Sequence, residues 1–196
     1  MIRYNDSEVI GKLNELMPQA RIAFAAACAQ RLLPAYVSFS RQAKRGDPDA
    51  LAEILNRVWL DLLGARRMEA SERNAAVDRS TELIPGEDEE PYVEEQPYGD
   101  DAAAAVSFAV RAMECADAQE AEWAARRAYD TLDHYVTHRL GVDDEDMIVA
   151  HPLIQAEFAR QERDLLELRS FCPTNSEVIL RLRERAKLEA ARFFSA

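Results

Sequence analysis

The sequence predicts an all-α fold: a single compact bundle of about eight helices around one central apolar helix. Three observations carry that expectation. Apolar residues recur at helical spacing along nearly the whole 196-residue chain, and no segment alternates as a half-buried strand would. Proline, glycine and capping residues fall where periodic stretches would begin and end. The turns between them are short, with no linker of domain-separating length, so residues 1–196 read as one domain. A chain of this length buries roughly 70% of its unfolded surface, enough for a core without disulfide staples.

Ser7 is placed to cap a first helix with the stripe Val9, Ile10, Leu13, Leu16 and Met17. Pro18 suits the first turn of a second helix, where a missing N–H costs little. That helix runs toward Lys44 and is apolar on nearly every face (Ile22, Phe24, Cys28, Leu32, Leu33, Tyr36, Val37, Phe39). Such a helix belongs in the middle of a bundle. Pro34 is expected to kink it, because the ring displaces the carbonyl of Gln30. Gly46-Asp47-Pro48 then supplies a stop, a cap and a restart. The third helix carries Leu51, Ile54, Leu55, Val58, Trp59, Leu62 and Leu63 and ends near Gly64; a weaker fourth runs from Ser71 to Leu83. After an acidic loop over about residues 85–101, a fifth begins near Asp101 and includes Val106, Phe108, Val110 and Met113. Asp117-x-x-Glu120 has the pattern of a capping box and opens a sixth through Trp123, Tyr129, Leu132, Val136 and Leu140. Pro152 starts a seventh through Leu168, and Thr174-x-x-Glu177 opens a C-terminal helix over about 174–194.

Composition removes several functions. The formal net charge is −12 and the isoelectric point about 4.8, which argues against nucleic acid as a partner, since phosphate recognition needs a basic surface. No polybasic segment offers itself to an anionic membrane. The longest apolar run, Ile22 to Ala29, falls far short of the roughly 18 residues of a membrane span. No apolar stretch follows Met1-Ile-Arg-Tyr as in a signal peptide. Cys28, Cys115 and Cys172 are odd in number and widely spaced, which favours reduced thiols and a cytoplasmic location. The six glycines lie apart, so no phosphate-wrapping loop is formed, and neither Gly-x-Ser-x-Gly nor His-Glu-x-x-His occurs. No cofactor and no catalytic residue is expected.

One set of residues is more specific. Phe24-Ala-x-x-Cys28-x-x-Arg31-x-x-Pro34-x-Tyr36-x-x-Phe39, then Gly46-Asp47 and Ile54-Leu55-x-x-Val58-Trp59, resembles the YjaG-like bacterial family (domain of unknown function 416). Ile84-Pro85, Tyr98 and Asp101-Ala102 are similar to its middle segment, and Pro152-Leu-Ile-Gln-x-Glu157 to its last. The resemblance implies an all-helical fold. Through genome-neighbourhood association it also implies a link to histidine-kinase signalling. It implies no catalytic residues.

Four groups of side chains ask for an account. Arg31 is a charge inside an apolar helix and needs carboxylates around it; Asp101 and Asp130 are the expected partners of a structural ion pair. Asp130, His134 and His138 recur every fourth residue on one helix face, a spacing at which two imidazoles and a carboxylate could hold a metal. Apolar Leu132, Val136 and Leu140 define the opposite face, so a solvated surface is expected and no metal. Glu87 to Asp101 holds eight acids and no base, and Asp143 to Asp146 four more. These two stretches account for the whole excess of twelve, leaving an electrically balanced body. Within them Asp88, Glu89, Glu90, Tyr92, Glu94, Glu95, Tyr98, Asp143, Asp144 and Asp146 form the expected surface for a basic protein partner, tyrosine giving contact area and carboxylate giving complementarity. A solvating loop is the competing reading.

The expected function is therefore a non-catalytic cytoplasmic protein-binding module, a regulator or antagonist of a basic protein. It would act as an immunity protein or as a signalling accessory. The alternative is a helical enzyme with a polar or metal site around Asp130, His134 and His138. A homo-oligomer is a third possibility.

Overall fold

The computed structural model describes residues 3–86, 92–115, 117–174 and 176–194. Among these, nine α-helices follow one another: α1 (Asp6–Asn14), α2 (Pro18–Ala43), α3 (Pro48–Leu62), α4 (Ala70–Glu82), α5 (Gln96–Cys115), α6 (Ala118–His134), α7 (Glu145–Ala150), α8 (Pro152–Leu168) and α9 (Glu177–Ala190). A π-helical turn, Tyr135–Arg139, continues α6. The described residues contain no strand.

Most boundaries follow the capping logic, with instructive exceptions. Asp47 caps α3 by accepting from Ala50 N at 3.0 Å, with Pro48 in the first turn. Asn5, rather than Ser7, caps α1, accepting from Glu8 N at 3.1 Å. The expected capping box at α6 is only half made. Asp117 accepts from Gln119 N at 3.1 Å, but the Glu120 carboxylate turns to Arg111 at 2.7 Å. The loop expected to reach Asp101 stops earlier, because α5 begins at Gln96. The second acidic stretch is not a loop either: Asp144 caps the short α7, accepting from Met147 N at 2.9 Å. At the C-terminal end α9 begins at Glu177, and the Thr174 hydroxyl lies against Cys172 Sγ at 3.1 Å instead of capping.

The central helix is α2, which packs most extensively against α5 and also against α3, α6, α8 and α9. Every residue from Ala23 to Ala29 is fully buried, which a helix achieves only when neighbours cover all its faces. It runs unbroken through Pro34. By length and composition α2 could cross a membrane, but 72% of its most apolar stretch is buried inside the bundle, as in a core helix. Small residues on both helices, among them Ala102, Ala103, Ala105 and Ala109 of α5, let the backbones approach closely. At Gly99 the approach leaves no room: an added Cβ would stand 2.5 Å from Phe39 Cγ.

Arg31 is fully buried in this packing, and its partners correct the expectation. Nη2 donates to Glu157 Oε1 at 2.8 Å, and Nη1 to Asp164 Oδ2 at 2.9 Å. Nε reaches Glu157 at 3.2 Å, Nη2 the Cys28 thiol at 3.3 Å, and Glu189 lies 3.7 Å from Nη1. Four of the five N–H directions of the guanidinium thus meet an acceptor, and the fifth faces the Glu189 carboxylate from beyond hydrogen-bond range. Burial works against the charge, yet Glu157, the thiol, Asp164 and Glu189 lift the pKa well above the ordinary value. Burial pushes the Cys28 thiol up as well, despite Arg31.

Asp101 and Asp130 are engaged elsewhere: Asp101 bonds from α5 to α6, and Asp130 to the preceding turn of its own helix. Asp101 accepts from Thr131 Oγ1 at 2.8 Å and Arg127 Nη1 at 3.1 Å. Burial pushes its carboxyl up to about 6 against the pull of those two donors. Asp130 accepts from Arg126 Nε at 2.8 Å.

The N-terminal segment is held by a second polar cluster. Glu122, buried on α6, accepts from Tyr4 Oη at 3.0 Å and Gln119 Nε2 at 2.9 Å. Asp6 of α1 is bound to Arg126 at 3.1 Å. Burial raises the Glu122 carboxyl to about 7; the Tyr4 hydrogen bond opposes this and Asp6 reinforces it.

Two outcomes follow. Arg31→Met takes away the fully buried cation that Glu157 and Asp164 share and leaves them only the more exposed arginines Arg160, Arg163 and Arg185, so urea unfolding should show a loss of about 3–5 kcal/mol. The triple change Arg31→Met, Glu157→Gln, Asp164→Asn should recover most of that loss, and a neutral single variant would contradict the account. For Glu122 the folded pKa lies above the ordinary 4.5. Between the two values the folded chain keeps a proton that the unfolded chain has released, so stability falls as pH rises through that window. Glu122→Gln should flatten this slope, matching the parent near pH 4.5 and exceeding its melting temperature above pH 7.

Candidate functional site

The π turn at the end of α6 builds the most unusual surface feature. Leu140 N donates to Tyr135 O at 3.1 Å, five residues back, and Val142 N to Val136 O at 3.2 Å. Gly141, at φ +70°, then turns the chain out of the helix. In a regular α-helix, residues four apart share a face and the fifth has moved away. Widening the turn brings the fifth residue back, so His134, His138 and Arg139 all line one open cleft. Turns of this kind concentrate at functional sites.

The opposite wall comes from the segment entering α5: Tyr92, Glu94 and Tyr98. The cleft measures about 350 Å³. Arg139 Nη1 donates to Glu94 Oε2 across it at 2.8 Å, with both side chains more than half exposed. The two imidazole rings lie 4.2 Å apart, and the Tyr98 ring meets His134 edge-on at 5.5 Å. Tyr98 is itself braced by Tyr135 and by Phe194 beyond α9. Burial, then His138, lowers the His134 pKa against the opposing pull of Asp133. Burial and Glu95 push the Tyr98 hydroxyl up to about 12.

This cleft joins two groups of residues that sequence spacing kept apart. Tyr92 and Glu94 are exposed as expected, and Glu95 is half-buried. Tyr98 is buried within the first turn of α5, so it forms a wall rather than a free contact. Asp143, Asp144 and Asp146 are exposed, with Asp146 and Glu145 paired to Arg3. Asp88, Glu89 and Glu90 lie outside the described residues. The expected trio of Asp130, His134 and His138 is not assembled, because Asp130 turns back one helical turn to Arg126. Among the described residues no three His, Cys, Asp or Glu side chains are arranged to hold a metal ion.

Arg139 was not anticipated, although its place beside His138 was visible; what hid it was the π turn, which redirects it. Glu157 and Asp164 carried a clearer signal. They interrupt the buried stripe Leu153, Ile154, Phe158, Leu165 and Leu168 of α8, where an acid must meet a buried cation.

An all-α bundle with a polar hub beneath a central apolar helix, and a cleft where α6 widens, is what the comparisons must match. A family model described as "Protein of unknown function (DUF416)" matches residues 8–191. The chain belongs to that family. It is also similar to the crystal structure of a DUF416 family protein from Shewanella baltica OS155, determined at 1.91 Å resolution. The two superpose with a TM-score of 0.76 at 23% identity, over 90% of this chain and 92% of that one. That likeness concerns the fold. A search of the curated proteins found no match.

The adjacent imidazoles yield a prediction. His138→Gln removes one of the two influences that lower the His134 pKa, so His134 should titrate closer to the ordinary histidine value. The pH dependence of its ring proton signals in NMR spectra measures this; an unchanged midpoint would place the cause in burial alone.

Proposed function

We propose that this chain is a non-catalytic, cytoplasmic protein-binding module that regulates or antagonises a basic partner protein. The observation that carries the reading is the Arg139–Glu94 bridge. Glu94 belongs to the first acidic stretch, and Arg139 stands four residues before Asp143, the start of the second. Four extended residues span at most about 14 Å, so the start of the second acidic stretch lies within that distance of the arginine that holds Glu94 of the first. Exposed apolar side chains accompany them: Tyr92, Leu140 and Met147. Carboxylates around exposed aromatic and aliphatic groups suit a basic surface, the charge guiding encounter and the apolar groups giving contact area.

The make-up of the cleft supports the non-catalytic part. Its lining offers two tyrosines, two histidines, a glutamate and an arginine, and the glutamate is engaged by the arginine. Among the described residues that line it there is no serine, threonine or cysteine to act as a nucleophile beside the histidines. Two forms of the function fit this surface: an immunity-like protein covering the basic active site of a toxin, or a signalling accessory.

Affinity capture from the native host tests the proposal. The parent protein should retain a basic protein at moderate salt and release it as salt rises. The variant Glu94→Gln, Asp143→Asn, Asp144→Asn, Asp146→Asn should hold it at least about tenfold more weakly, with the fold unchanged because Asn also caps α7. Equal retention by both proteins, or no retained protein, would overturn the reading.

A further inference from the structure

We infer that the cleft between Tyr92, Glu94, Tyr98, His134, His138 and Arg139 receives an arginine side chain of the partner, which displaces Arg139 from Glu94. The inference rests on the function proposed above and adds the chemical group recognised.

The chain itself shows what this cleft accepts. A guanidinium already lies on Glu94, in a cleft whose other lining groups are aromatic rings. That internal bridge is exposed at both ends, with 58% of the Arg139 side chain and 79% of the Glu94 side chain accessible. Exposed ion pairs contribute only about 0–1 kcal/mol, so Arg139 holds the place weakly. An incoming arginine makes the same charge-assisted bond and also covers the cleft, removing water that screens the bond. Its planar, weakly hydrated guanidinium can lie against tyrosine and imidazole rings, which a compact, strongly hydrated ammonium does poorly. Burial and the neighbouring His138 lower the His134 pKa, which favours the uncharged form of that ring and eases the approach of a cation to it.

Other features were less informative. The groove between α3 and α4, lined by Ile54, Ala75, Ala76, Arg57 and Arg79, has balanced charge and nothing to specify an occupant. The exposed Leu166, Leu180 and Leu188 are apolar without a complementary charge pattern. The Cys172 thiol, lowered by the Thr174 hydrogen bonds, stands alone.

The test uses the tripeptide Ac-Gly-Arg-Gly-NH2, its lysine and citrulline counterparts, and inorganic phosphate. The readout is the pair of imidazole NMR signals of His134 and His138. The arginine peptide should shift both signals saturably in the millimolar range at pH 7.5, the lysine peptide more weakly, and citrulline not at all. Glu94→Gln should abolish the effect. Arg139→Gln should tighten arginine binding by roughly two- to fivefold, the worth of the exposed ion pair it removes. The inference is overturned if the arginine peptide causes no saturable shift in either the parent or Arg139→Gln, if citrulline matches it, or if phosphate binds in its place. Capture of a partner through the acidic stretches with an unresponsive cleft would sink this inference alone. An arginine-responsive cleft in a protein that captures nothing would sink the broader function instead.

Discussion

A guanidinium buried in an apolar helix is the constraint on which the rest of the bundle depends. Arg31 cannot be desolvated without acids at fixed positions, and those acids come from elements far along the chain. Glu157 and Asp164 stand two turns apart on α8 and face the same way, and Glu189 closes the set from α9. Each acid is shared with a further arginine: Arg160 on Glu157, Arg163 and Arg185 on Asp164, Arg163 on Glu189. Gln161 extends the hub to α6 by donating to Ala125 O at 3.1 Å while also reaching Glu157. Greasy contacts tolerate sliding, whereas a buried guanidinium hydrogen-bonded on several sides does not. The register of α8 and α9 against α2 is therefore fixed by this one side chain.

The cleft inherits its geometry from the opposite end of α2. Phe39 presses on Gly99 so closely that no side chain fits between, which fixes the first turn of α5. Gln96 is tied in the same turn, receiving Arg45 Nη2 at 2.8 Å and donating to Gly86 O at 2.7 Å. Nearby, Tyr36 Oη donates to Leu83 O at 2.9 Å and anchors the end of α4. Tyr98 thus projects from a rigid platform, and the segment carrying Glu94 and Tyr92 enters from a defined direction. The histidine wall is equally constrained, since Val136 within the π turn is fully buried. A cleft made by two anchored walls is suited to reading a particular side chain, because little ordering remains to be done on binding.

What the sequence made legible, and what it did not, follows the range of the interactions. The helices of the bundle are set by local periodicity and capping, and these made every helix but α7 readable. The exceptions arose where a side chain had a distant alternative. Glu120 leaves its capping box for Arg111, and α5 starts early where Gln96 finds partners in Arg45, just beyond α2, and Gly86, beyond α4. The short α7 is too brief to show a period and rests on one capping aspartate. Arg31 was recognisable as a charge needing partners, but the choice of Glu157 and Asp164 over Asp101 and Asp130 depends on which helix faces which. Of the cleft, the two walls were each visible as unusual residues. Their meeting was not, because it depends on a π turn that local pattern does not announce.

The charge distribution separates a balanced body from two acidic segments. Only three of the 24 basic residues are lysines, and the arginines are spent largely in pairs within the body, where a forked guanidinium can serve several carboxylates at once. Paired charges cancel at short range and leave little field beyond a Debye length. The acidic excess lies in two short stretches of the sequence, and some of their described members are themselves paired, Glu94 with Arg139, Glu145 and Asp146 with Arg3, and Asp101 with Arg127. The net charge of −12 is therefore carried by two segments rather than spread evenly along the chain, and the buried arginine hub belongs to the balanced body.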